Sequence, residues 1–528
     1  MSNLEYAGGG AGGGSVPVRA GSVRTEAERA DAASRRWRTI WRTHFYAGVF
    51  AAPFMVLMAL TGLVILYSQP ITDWARNDLR TVSDIGEWQS FDAQSAAVVT
   101  ANPDNPITQV DVPRNSTSST AFWLEDGTQV FVDPYTSEVL GTATGEVGIV
   151  GLANRLHGYL NINEEKVTVK LPSLSGILGD GAIMQEYVVG DMVLEIFGGW
   201  AFVLLVSGLY LWWPRKTGMA TPQRTRSLFG LRLGKKGRAR WRDMHAVSGV
   251  LMSAMLLLTL VSGMPWASYW GQNFGSLANK ITPNQESAQP DSTLATRGDL
   301  DRFGNRINWN TASNAIPNSA NDGVDPTTLP AQIGLQSLID IGKQEGMKPG
   351  YSIYYPSIGE DEAGNPTYGS FTLSNSWPRK TGEAKDVYVD QFSGNTLGEF
   401  NVWGYGGISR GIDTLVSVHM GTQLGLFSRI FMTALCVLTI WSVVSAVVMY
   451  SKRRRKGTLG TPRRPRDLRM ANKLIVITMI MAVLYPLWGA SAFAILMLDK
   501  FVIRRNGRLR RMFGQHDRPT PTEAPTPA

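Results

Sequence analysis

Long apolar runs alternate with polar stretches along this chain, and the lengths of the runs predict a polytopic membrane protein. A helix needs about 20 predominantly apolar residues to cross a bilayer. Four runs meet that length, at residues 45–67, 192–213, 246–268 and 427–450. A fifth, 474–498, is interrupted by Pro486 and Gly489, so it reads either as a fifth span or as a re-entrant hairpin. Between the first two spans, Phe122 to Asp133 reads as strand, Asp126-Gly127 turn, strand. The expected fold class is therefore α+β: a four-helix membrane core plus a C-terminal apolar segment, with strand-bearing domains outside the membrane.

The expected order along the chain starts with a disordered cytoplasmic tail (1–34), a first span (35–68), an outer domain (69–190) and a second span (191–213). A basic cytoplasmic loop (214–244), a third span (245–268), a second outer domain (269–425) and a fourth span (426–450) follow. A second basic loop (451–473), the broken apolar segment (474–498) and a basic, then disordered tail (499–528) complete it. Charge sets the orientation. Segment 214–243 carries ten Lys/Arg against Asp243, and 451–470 carries nine against Asp467. Segment 70–190 reverses the balance, with sixteen Asp/Glu against six Lys/Arg. The positive-inside rule puts the basic loops and the N-terminus in the cytoplasm and the acidic domain outside. Because the basic stretches lie between spans, the net charge of +8 is topological, and no nucleic-acid partner is expected. The bilayer is the expected surrounding. A full fifth crossing would put Arg504, Arg505, Arg508, Arg510 and Arg511 on the outer side, against the rule.

One cysteine, Cys436, lies within a span and reads as a small packing residue. It excludes a disulfide framework, a covalent CxxCH haem site and a thiolate-held iron–sulfur cluster within this chain. Histidines carry the chemistry instead. Of the five, His44 and His245 each open an apolar helix from a basic flank, while His157 and His419 each precede one from the other side. Neutral imidazole is the usual protein ligand of haem iron. A lone histidine at a helix end is more often an interfacial or capping residue, and His516, in the basic tail, reads as solvated. The acidic Glu360-Asp361-Glu362 reads as a solvated turn.

The four histidines also fall in a repeat. An offset of 201 residues relates His44 to His245, Gly48 to Gly249 and the Thr61-Gly62 pair to Ser262-Gly263. Val130-Phe131-Val132-Asp133 through Leu140-Gly141 matches Val387-Tyr388-Val389-Asp390 through Leu397-Gly398. Two units of like topology are related by an axis along the membrane normal. That axis would bring His44 to face His245 and His157 to face His419, each pair across one flat macrocycle. The expectation is two b-type haems with bis-histidine ligation. Such a centre has no open iron position, which favours electron transfer. Arg42 and Arg242 lie near the inner histidines, and Arg155 and Arg410 near the outer ones. All four are candidate partners for haem propionates, or else ordinary interfacial arginines. The paired glycines leave room for a flat ring or for close helix contact. Glu195, within a span, reads either as functional or as snorkelling to the interface.

The strand–turn–strand pattern with its Val-x-Val-Asp start and Leu-Gly end resembles the PepSY domain. The His-x-x-x-Gly helix starts, and Ser207-Gly208-Leu209-Tyr210-Leu211-Trp212-Trp213-Pro214-Arg215, resemble PepSY-associated transmembrane proteins. The likeness covers about 36–500. It implies two extracytoplasmic PepSY-like domains on duplicated helix pairs, in a bacterial inner-membrane protein tied to iron. It further implies a haem-dependent ferric-siderophore reductase, with His44, His157, His245 and His419 as ligands. The partners implied are a ferric siderophore or other ferric chelate outside and a cytoplasmic or quinol electron donor. The chain departs from the pattern in its fifth apolar segment and in the long connection after His157. Two further readings stand beside this one: a membrane anchor whose outer domains bind a peptidase or cell-envelope partner, and a transport accessory with histidines as direct metal ligands.

Overall fold

The computed structural model describes residues 26–83, 85–162, 164–170, 184–213, 237–284, 314–319, 329–360, 364, 366–375, 379–454 and 472–513. His516, most of the acidic turn at 360–362 and most of both basic loops fall outside them. Helix α1 (Glu26–Leu66) starts inside the segment whose composition reads as a tail. Residues 26–36 are rich in Ala, Glu and Arg, strong helix formers that prolong the helix beyond its apolar run. Short helices α2 (Ser68–Ala75) and α3 (Asn77–Arg80) lead to α4 (Phe91–Ala101) and strands β1 (Ile107–Asp111), β2 (Thr120–Leu124), β3 (Thr128–Val132) and β4 (Val139–Thr144). Next come α5 (Gly148–Tyr159), a ribbon of β5 (Lys166–Lys170) and β6 (Met184–Val188), and the apolar helices α6 (Val189–Trp212) and α7 (Arg238–Gly263). Pro214 and Pro265 stand where α6 and α7 stop, since proline cannot continue the backbone ladder.

After α8 (Ser268–Ile281), a second unit runs α9 (Leu335–Gln344), β7 (Ser352–Tyr354), a small pair β8 (Ile358–Glu360) and β9 (Pro366–Tyr368), then β10 (Phe371–Ser374), β11 (Lys385–Val389) and β12 (Thr396–Asn401). Helices α10 (Gly407–His419), α11 (Leu426–Arg453), α12 (Asn472–Leu484), α13 (Pro486–Leu498) and α14 (Gly507–Met512) follow. The two units share one antiparallel sheet of eight strands, in the order β12-β11-β10-β7-β1-β2-β3-β4. Its centre is the β1–β7 pairing, Val110 opposite Ile353. There Asp111 accepts hydrogen bonds from Gln109 Nε2 (2.7 Å), Trp123 Nε1 (2.9 Å) and Ser352 Oγ (2.6 Å), binding the two units across the joint. One face of the sheet packs against α4 and α9 through Phe91, Val98, Leu335, Leu338 and Ile339.

Among the described residues, five helices are long and apolar enough to cross a membrane: Ser34–Leu66, Val189–Trp212, Arg238–Trp266, Leu426–Arg453 and Pro486–Ile503. The first four form a ring in which α1 and α7 each pack on both α6 and α11, so α1 stands diagonally from α7. Helices α5 and α10 cover the sheet end of the ring, packing on α1 and α7. The long connection after His157 does not carry that residue away. Val189 N–H donates to Glu165 O (2.9 Å) and Gly190 N–H to Ile162 O (3.3 Å), closing the base of the β5–β6 ribbon. A Cβ on Gly190 would stand 1.8 Å from Tyr159 O, so only glycine lets α6 start against the end of α5.

The last apolar segment breaks at Tyr485, with Pro486 in the first turn of α13. A Cβ on Gly489 would lie 2.9 Å from Ala482 Cβ. In an unbroken helix residues seven apart are about 10 Å apart along the axis. Helices α12 and α13 therefore double back as a hairpin. Its tip touches α8, where Tyr485 stacks on Trp270 with ring centres 5.9 Å apart. Beyond α14, Phe513 lies 6.4 Å from Tyr46, at the end of the ring away from the sheet. Reporter fusions test this path: a label after Phe513 and one before Glu26 should be reached from the same face of the membrane. Labelling from opposite faces would mean that the segment crosses.

Candidate functional site

The ring of helices holds two pairs of imidazoles. His44 on α1 and His245 on α7 have ring centres 6.3 Å apart and planes at 69°. At the sheet end, His157 of α5 and His419 of α10 have centres 6.4 Å apart and planes at 65°. Seventeen residues separate His44 from Thr61, and likewise His245 from Ser262, which places the two layers about 25 Å apart along the helices. Met55, Met252 and Met255 pack in the apolar cluster between them.

Each imidazole is anchored through Nδ1. His44 Nδ1 is 2.9 Å from Ser207 Oγ, His157 Nδ1 is 2.9 Å from Thr61 Oγ1, and His419 Nδ1 is 2.9 Å from Ser262 Oγ. His245 Nδ1 is 3.0 Å from the Ser442 carbonyl oxygen. Those hydroxyls spend their own protons on backbone: Ser207 donates to Val203 O (2.6 Å), Thr61 to Leu57 O (2.8 Å) and Ser262 to Thr259 O (3.3 Å). They therefore accept from the rings, as the Ser442 carbonyl must. The pattern assigns the proton to Nδ1 in all four and leaves the lone pair on Nε2. Burial pushes His157 down to about 4, and burial with the neighbouring His157 pushes His419 down to about 3, so both are neutral at pH 7. The serine and threonine anchors were visible in the sequence as the hydroxyl residue preceding each repeated glycine, at Thr61-Gly62, Ser207-Gly208 and Ser262-Gly263.

The glycines differ in what surrounds them. A Cβ on Gly62 would meet His157 Cε1 at 3.4 Å and Cys436 Sγ at 3.9 Å, and one on Gly208 would meet His44 Cε1 at 3.2 Å. These two make room for an imidazole. A Cβ on Gly48 would touch Leu204 at 3.7 Å, whereas one on Gly249 or Gly263 would meet nothing within 4 Å. Cys436 is buried and free.

The four arginines flagged from sequence take other partners. The Arg42 guanidinium lies 5.1 Å from the centre of the Tyr46 ring, and Arg242 Nη2 is 3.0 Å from Asp243 Oδ1. Arg155 Nε donates to Asn161 Oδ1 (2.9 Å), and Arg410 lies over Trp403 at 5.2 Å. Glu195 does not snorkel. It is buried on α6, and its Oε2 accepts from the backbone N–H groups of Tyr269 and Trp270, both at 3.0 Å, satisfying the first turn of α8. Sequence inspection missed Arg379 and Asp413, a buried ion pair at 3.3 Å. It ties the sheet unit to α10, one and a half turns before His419.

Among the described residues no group of three or more His, Cys, Asp or Glu is placed to hold a bare metal ion. The imidazoles come instead in twos, with ring centres 6.3 and 6.4 Å apart.

The fold and site define a multi-pass membrane protein whose helical ring encloses two histidine pairs beneath a shared sheet. The model of the PepSY-associated TM region matches residues 41–453, and the chain belongs to that family. No match was found among curated proteins.

Breaking the buried pair tests how α10 is held. Arg379→Ala takes the counter-charge from a buried carboxylate and should cost about 3–5 kcal/mol, read from chemical unfolding in detergent. Arg379→Met with Asp413→Leu should recover most of that loss. Equal stability of the parent and Arg379→Ala would show that the pair does not brace the helix.

Proposed function

We propose that this protein is a di-haem electron carrier that reduces a ferric chelate on the sheet side of a bacterial inner membrane. The observation that carries the reading is the spacing of the two imidazole pairs. Metal–nitrogen bonds of about 2.0 Å, with each ring nitrogen roughly 1.1 Å from its ring centre, separate two trans imidazoles by about 6.2 Å. The pairs stand at 6.3 and 6.4 Å. The Nδ1 anchors support the same reading, because a hydrogen bond behind the ring fixes its tautomer and orientation. The open space beside Gly249 and Gly263 suits a flat ring lying across the bundle.

In this reading the chain is a duplication whose halves each give a PepSY-like unit and a helix pair. The N-terminus and the basic loops lie in the cytoplasm. Haem held by two imidazoles in each layer would supply one-electron chemistry, with His44 and His245 as the holders in one layer and His157 and His419 in the other. The residues of the chain do the rest. His44 and His245 hold the entry centre near the cytoplasmic face, facing a cytoplasmic or quinol donor. His157 and His419 hold the exit centre beneath the sheet. Met55, Met252 and Met255 keep water from the space between. One electron delivered to a ferric chelate leaves a ferrous one, which a siderophore grips far less tightly. The family of the chain and its acidic outer domain are compatible with that substrate, and likeness to iron-regulated relatives is its main support.

Absorbance is the test. Protein purified from haem-replete cells should carry two haems per chain, with a dithionite-reduced spectrum of b type. His44→Ala or His245→Ala should each leave one, as should His157→Ala or His419→Ala. Colourless parent protein would reject the reading in favour of an anchor for an envelope partner. Unchanged haem content in both His44→Ala and His245→Ala would reject the entry pair.

A further inference from the structure

We infer that Arg429 of α11 receives a propionate carboxylate of the haem between His157 and His419. The inference rests on the di-haem reading above and adds a residue that sequence inspection passed over. Arg429 stands in the first turn of α11, and its buried Nε has no hydrogen-bond partner among the described residues. A buried guanidinium nitrogen without an acceptor is costly, and a carboxylate is its usual complement.

Position narrows the acceptor to the ring edge. Cys436 lies two turns further along α11 on the same face, and its Sγ is at the Gly62–His157 contact. Arg429 is therefore about 10 Å nearer the sheet than the level of His157. It also abuts the other ligand's loop. A Cβ on Gly421, two residues after His419, would lie 3.4 Å from Arg429 Cα. The guanidinium rests over the Tyr67 ring at 5.9 Å, and Tyr67 Oη is 3.0 Å from Thr433 Oγ1, which steadies that ring.

Charge then selects the side. The imidazoles of this pair stand beside α1 and α7, on one diagonal of the bundle. A flat ring held across that axis would have α6 and α11 at its two flanks and the sheet end of the bundle above it. The two helices align by their histidine-facing serines, Ser207 and Ser445. In that register the position of Arg429 on α11 corresponds to Asp191 on α6. At these matching positions α11 offers an anionic edge a cation, Arg429, where α6 carries an acid. Arg155 and Arg410, the arginines closest in sequence to these histidines, are engaged with Asn161 and Trp403.

A cation beside a haem carboxylate favours the reduced centre, which carries one more negative charge. Redox titration of the full-length purified protein, followed at the haem absorbance bands, reads this directly. Arg429→Gln should lower the midpoint potential of one of the two centres, and Arg429→Lys should restore most of the difference. In a His157→Ala background, where only the His44–His245 centre remains, Arg429→Gln should leave the potential unchanged. Two potentials identical to the parent's in Arg429→Gln, at full haem content, would overturn the assignment while leaving the di-haem reading intact. So would a Lys variant as impaired as the Gln variant. A parent without haem would overturn both.

Discussion

The structure depends on one constraint: a polar ring nitrogen buried among apolar helices must have a partner on each side. Every one of the four imidazoles meets it behind the ring, at Nδ1, through a hydroxyl or carbonyl on a neighbouring helix. An unpartnered polar group in such surroundings costs several kcal/mol, so these contacts fix which helices lie side by side. In front of each ring the Nε2 lone pair remains, and the proposed iron centre is what would satisfy it. Ring orientation and helix register thus follow from the same four hydrogen bonds.

The sheet has a second role. Two units, each a helix and strands from a different part of the chain, meet at β1 and β7. That joint fixes the ends of β4 and β12 relative to each other; α5 follows β4, and α10 follows β12 after the 3-10 turn Val402–Gly404. The helices that carry His157 and His419 are thereby aimed at one another from outside the bundle. The pair Arg379–Asp413 fastens α10 to the sheet unit. The distal pair needs no such frame, because His44 and His245 sit on the bundle helices themselves.

Much of this was legible in the sequence because it is local or periodic. Apolar runs gave four helices, the Asp126-Gly127 turn marked the β2–β3 hairpin, and the offset of 201 singled out His44 and His245 together with the Thr61 and Ser262 that anchor His157 and His419. What sequence left open is long-range. The length of the connection after His157 pointed away from His419, whereas the hydrogen bonds at the base of the ribbon cancel that length. Proline and charge left two paths for the last apolar segment, and the contact of Gly489 with Ala482 distinguishes them. Arg379 lies far in sequence from Asp413, with which it pairs, while Arg42, Arg155, Arg242 and Arg410 were prominent only for standing near a histidine.

Electron paramagnetic resonance of the oxidised protein tests the central claim most directly, since it reports how many axial nitrogens the iron has. Two imidazoles on each of two irons predict two low-spin ferric signals and no high-spin signal. A predominantly high-spin spectrum, or none from protein made with haem in excess, would contradict the account.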